Sequence, residues 1–146
     1  MPLCLRVLLV TGLLAALPAR AGVPSAFAAQ PLPFKQRVCG MLFADISAQQ
    51  VRLARQNPAQ MSGDMRKAML MSATEALIFL EATGYLEEHS KAQAEAYAHA
   101  LEEGASDEYM AVVQACHTRY RPRKTEAEIR VFVEDARQVL REQLGE

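Results

Sequence analysis

The sequence predicts an all-α fold, a small bundle of four to five helices held by one disulfide. Three observations lead there. Ala, Leu, Met, Glu, Gln and Arg are plentiful and tryptophan is absent, a bias toward side chains that lose little rotamer freedom in a helix. Apolar residues recur at helical spacing between clear stop signals, and no run has the two-residue alternation of a strand outside one alanine-rich segment. Two cysteines, Cys39 and Cys116, lie beyond an export-type leader, and an even pair in an oxidising compartment is expected to bond.

The leader comes first. Arg6 precedes an apolar run over 7–17, broken only by Thr11 and Gly12 and closed by Pro18. A basic start, a short apolar run and small residues after it make a secretory signal. Eleven residues are too few for a spanning helix, which needs about 20. Two places satisfy the small-x-small cleavage rule, Ala19-Arg20-Ala21 and Ala26-Phe27-Ala28. The second has cleaner flanks and sets cleavage after Ala28; the first, after Ala21, is the alternative. Cys4 lies ahead of the apolar run, the wrong side for a lipid anchor, so no membrane anchor is expected after cleavage. The expected location is the periplasm or the exterior.

The domain is then 29–146, a single unit of 118 residues with 14 bases and 17 acids, net −3. Bulk charge of this sign speaks against a nucleic-acid partner. Residues 29–34, with Pro31 and Pro33, read as an extended lead-in. The first helix spans 34–56, with Val38, Leu42, Ile46 and Leu53 near one face, and Asn57-Pro58 ends it. The second begins at Ser62-Gly63-Asp64 and carries a stripe of Met65, Met69, Ser72, Ala76, Leu80 and Thr83. Gly84 stops or kinks it, and 85–89 could continue it. The third covers 90–103, capped by Ser90 and ended by Gly104. Its alanine alternation resembles a strand, but alanine forms helix far better. The fourth starts at Ser106, with Met110, Val113, Cys116 and Tyr120 on one face. The stretch 119–124 breaks it. Thr125 and Glu128 form a capping box for the fifth, which carries Ile129, Phe132, Val133, Ala136, Val139, Leu140 and Leu144.

Within this frame Cys39 and Cys116 tie the first helix to the fourth. Closing so long a loop is worth roughly 4–5 kcal/mol in the chain-entropy model; two separate buried thiols are the alternative. Cys116 and His117 are neighbours, about 100° apart on a helix, so adjacency makes no catalytic dyad.

The candidate chemistry is sparse. Met61, Met65, Met69 and Met71 crowd one segment, the first three at i, i+4 and i+8. Thioethers suit Cu(I). They also fill cores and make adaptable binding surfaces. Glu95, His99 and Glu103 share a helical face and could hold zinc, although a solvated face of an acid-rich helix accounts for them better. Charge is uneven: 75–108 carries nine acids and one base, 35–67 six bases and two acids. That asymmetry fits attraction between packed helices, or sensing of external pH. The basic cluster 119–124 could meet an acidic partner or anionic lipid, although a solvated interhelix loop accounts for it more simply. No phosphate loop, Cys-x-x-Cys, haem-attachment, His-Glu-x-x-His or Gly-x-Ser-x-Gly motif is present, so no cofactor and no enzymatic reaction is predicted.

Three patches, Cys39-Gly-Met-Leu-Phe43, Phe79-Leu80 with Gly84-Tyr85, and Val112-Val113-Gln114-Ala115-Cys116, resemble small disulfide-linked periplasmic helical proteins of the HdeA acid-stress chaperone type. The scaffold type is also similar to periplasmic immunity proteins that neutralise cell-wall amidases. Either resemblance implies protein binding through an exposed apolar patch. The expectation is therefore a non-enzymatic exported protein that binds another periplasmic protein through a helical surface. Handling of copper or a small ligand by the 61–71 segment is the alternative.

Overall fold

The computed structural model describes residues 22–146. Most of the expected leader, residues 1–21, lies outside the described residues, as does the candidate cleavage residue Ala21.

Six α-helices follow one another: α1 Ser25–Ala28, α2 Leu32–Gln56, α3 Gly63–Ala82, α4 Glu88–Glu103, α5 Ser106–Ala115 and α6 Glu126–Leu144. A 3-10 turn, Pro58–Gln60, joins α2 to α3, and a π-helical turn, Cys116–Tyr120, extends α5. No strand occurs among the described residues. The bundle is all-α as expected, with one helix more: α1 occupies a segment assigned to the leader.

Local chemistry accounts for most boundaries. Pro31 and Pro33 open α2, because a helix's first turn needs no proline N–H; the extended lead-in expected over 29–34 is therefore a turn and a helix start. The Ser62 hydroxyl accepts from the Met65 N–H at 3.2 Å and caps α3. The capping box is complete: Glu128 N–H donates to the Thr125 hydroxyl at 3.2 Å, and Thr125 N–H donates to the Glu128 carboxylate at 2.7 Å. Gly145, φ +74°, takes the left-handed turn that ends α6. Ser90 does not cap α4. The helix begins two residues earlier, with Glu88 in its first turn, where an acid favours the helix dipole.

Helices α2 and α3 form the central pair, and α3 is buried on two sides. Ala76 and Phe79 join Val38, Leu42, Phe43, Leu101 and Val112 in the larger core. Met69 and Ala73 face a smaller one with Val51, Ala54, Ala136 and Leu140. Helix α4 covers α2, while α6 packs on α3 and more lightly on α2. The Phe43 and Phe79 rings stack with centroids 5.9 Å apart. Buried hydroxyls are satisfied within α3: Ser72, Thr74 and Thr83 donate to carbonyls one turn back, at 3.1, 2.7 and 2.7 Å. Leu53, expected inward on the first helix, is instead 55 % exposed.

Cys39 and Cys116 are bonded, with Cα atoms 5.5 Å apart and 77 residues between them in sequence. Both are fully buried. The tie runs from α2 to the first residue of the π-helical turn.

Candidate interaction groove

Between α2, α3 and α5 lies an open groove of about 670 Å³. Small side chains leave the room: Ala68 and Ser72 on α3 and Ala111 on α5. Phe43, only 8 % exposed, provides an apolar base. Met71 from α3 and Met110 from α5 line it, and each is 59 % exposed. Met110 and Val113, expected on one face of their helix with Cys116, both line the groove, while Cys116 is buried in the core.

Polar groups lie at the margins. Gln50, Asp107 and Gln114 line it, as do Glu75 and His117. Glu75 is buried, and the Arg121 Nε–H donates to both of its carboxylate oxygens at 2.9 Å. His117 Nδ1 stands 4.0 Å from Glu75 Oε2. Cys116 is locked in the disulfide while His117 is exposed beside the groove, so the two neighbours take separate roles. No lysine or arginine lines the groove. Asp107 makes no ion pair among the described residues; its carboxylate accepts only from the Glu108 N–H.

The methionine set is divided. Met69 is 2 % exposed in the smaller core, Met61 packs against that core, Met65 is 38 % exposed and Met71 lines the groove. Met61 precedes α3, so it does not continue the helical i, i+4, i+8 stripe. The sequence crowded these residues together; the fold sends them to a core, an edge and a groove.

A second polar site lies between α2 and α4. Asp45, Arg52, Glu95, His99 and Glu102 line one depression. Glu102 Oε1 is buried with no hydrogen-bond partner. Burial, followed by the carboxyl of Asp45 against it, raises the Glu102 pKa above the usual carboxylate value; His99 opposes this. His99 Nδ1 is 4.0 Å from Glu102 Oε2, and its Nε2 is 3.3 Å from Glu103 Oε1. Burial also raises Tyr109, with Glu102 and Asp45 adding to the effect. Among the described residues no three His, Cys, Asp or Glu side chains gather as a metal-binding group, so Glu95, His99 and Glu103 do not form the zinc set their spacing allowed.

The basic cluster 119–124 is partly spent inside the molecule. Arg121 pairs with Glu75, and Lys124 pairs with Glu81 at 2.9 Å while lying 5.3 Å from the Phe132 ring centroid. These are the cations that meet the acidic 75–108 stretch. No ion pair among the described residues joins that stretch to the basic 35–67 stretch, which corrects the simplest account of the charge asymmetry. Sequence reading missed Glu75–Arg121 and Asp45–Glu102, since each pair comes from separate elements and carries no local spacing signal.

No helix of the described residues is long and apolar enough to cross a membrane. No protein-family model, curated protein or solved structure matches this chain.

Proposed function

We propose that this chain is an exported, non-enzymatic interaction protein. In this reading the groove between α3 and α5 takes an apolar helical segment, flanked by basic residues, from another protein. The observation that carries the reading is the pair Met71 and Met110, each 59 % exposed over the Phe43 base. Large apolar side chains set around a concave surface favour being covered. Thioethers are flexible and polarisable, so they adapt to more than one apolar partner. An amphipathic helix that inserts residues at i, i+3 and i+4 is the occupant such grooves take.

Charge selects the flanks. The acidic side chains lining the groove are Glu75 and Asp107, with no lysine or arginine beside them. Arg121 already neutralises Glu75, which leaves Asp107 to attract a cation on the partner. The leader-like pattern over residues 1–21 and the buried disulfide support an oxidising, exported setting. A protein-binding role also agrees with the resemblance to small periplasmic chaperones and immunity proteins.

The test uses two labelled amphipathic helical peptides with one apolar face, the polar face lysine-rich in one and glutamate-rich in the other. Fluorescence anisotropy should show the lysine-rich peptide binding more tightly. Met71→Glu with Met110→Glu should weaken it at least tenfold, while Met65→Glu, which does not touch the groove, should leave it unchanged. Equal binding by the groove variant and the parent would overturn the reading.

A further inference from the structure

We propose that the leader is removed between Ala21 and Gly22, and that residues 22–28 stay on the mature protein as an arm that completes its core. This rests on the export reading above. It sets aside the cut after Ala28, whose flanking residues look cleaner in sequence.

The arm is built into the fold. Phe27 is fully buried within the larger core. Its ring stacks on Tyr97 of α4 at 5.7 Å and meets Tyr120 of the π-helical turn edge-on at 5.8 Å. Val23 packs against the same cluster. The Lys35 ammonium on α2 donates to the Ala28 carbonyl at 3.1 Å and lies 4.7 Å from the Tyr120 ring centroid. Phe27 thus joins α4 to the turn that holds Cys116. A cut after Ala28 would remove Val23 and Phe27 and leave Tyr97 and Tyr120 without the ring between them. Packed interiors do not close such gaps freely.

The leader's own layout agrees. The apolar run ends at Leu17, so Ala21 lies four residues beyond it and Ala28 eleven. The short spacer is the ordinary one for a small-residue cleavage site. The reaction is hydrolysis of the Ala21–Gly22 peptide bond, water supplying the new carboxylate and the new amino terminus.

The full chain is expressed in a bacterium with an intact export system, and the periplasmic protein is analysed by intact mass and N-terminal sequencing. Gly22 as the first residue is expected. Ala29 as the first residue would overturn the proposal and leave export standing; an uncleaved chain confined to the cytosol would overturn both. Ala21→Lys should block processing, whereas Ala28→Lys, at an exposed position, should not. The reverse pattern would overturn the proposal. Phe27→Ala in the full chain should lower the melting temperature of the mature product by roughly ten degrees or more. An unchanged melting temperature would remove the arm from the core.

Discussion

Arg121 places its Nε 2.9 Å from both carboxylate oxygens of Glu75, and that carboxylate is buried in α3. The pair pins the chain after the π-helical turn to the middle of the bundle, beside the groove. Removing one partner strands the other. Arg121→Ala should destabilise the fold by about 2–3 kcal/mol; this is below the range for fully buried pairs because Arg121 is partly exposed. Adding Glu75→Gln to Arg121→Ala should recover much of the loss, since a neutral amide costs less to bury than an unpaired carboxylate. Urea unfolding of the single and double variants measures both effects. Additive losses would show that the two side chains do not act as a pair.

The disulfide should be the largest single contributor to stability. Cys39 and Cys116 enclose a 77-residue separation, for which the chain-entropy model gives roughly 4–5 kcal/mol. Cys39→Ser with Cys116→Ser should therefore unfold at a much lower urea concentration, with a similar slope. Mass shift on alkylation checks the bond directly: the native protein should take up no reagent at either cysteine until reduced.

Gly40 lets α2 and α3 approach closely. A Cβ there would stand 2.9 Å from Leu80 Cδ2 and 3.1 Å from Phe79 Cβ. The Leu80 end can rotate away, but Phe79 Cβ is fixed to its backbone. Alanine would gain about 1 kcal/mol in helix propensity and lose about 1–3 kcal/mol to overpacking. Gly40→Ala is expected to be destabilising by about 1 kcal/mol, and Gly40→Val by more. Thermal unfolding of the two variants checks the order; a stabilised Gly40→Ala would mean the helices can separate at little cost.

Much of the fold was legible because its signals are local. Asn57-Pro58, Ser62, Gly104 and the Thr125–Glu128 box mark helix ends within three or four residues. Two differences between the sequence pattern and the fold have physical causes. Ser90 looked like a cap, yet the chain enters α4 at Glu88, and propensity does not resolve two residues at a helix start. Phe27 lay in a segment whose small residues resemble a cleavage site, and only the tertiary contact with Tyr97 and Tyr120 shows it to be core. The groove was half legible. Methionines at helical spacing mark an apolar face, but whether Met69 or Met71 turns outward depends on where α6 packs against α3. Asp45 and Glu102 are 57 positions apart, and no pattern in either helix announces their meeting.

That meeting gives the chain a specific dependence on pH. Glu102 has one buried carboxylate oxygen without a donor, and burial and then Asp45 raise its pKa above the usual carboxylate value, His99 opposing. Tyr109 faces the same two carboxyls. A carboxyl whose pKa is raised by folding favours the folded state when protonated. Its stabilising contribution is complete below the unfolded value and is lost as pH rises through the folded one. Above that raised pKa the ionised Glu102 is therefore a liability. Glu102→Gln should stabilise the protein by about 1 kcal/mol near pH 7, because the amide can donate to Asp45 and has no charge to bury. The advantage should shrink as pH falls through the raised pKa and vanish below about 4. Melting temperatures of parent and variant between pH 3.5 and 7.5, on the order of eight points across the carboxylate range, measure the difference. An advantage that stays constant across that range would show that the ionisation of Glu102 is not its source.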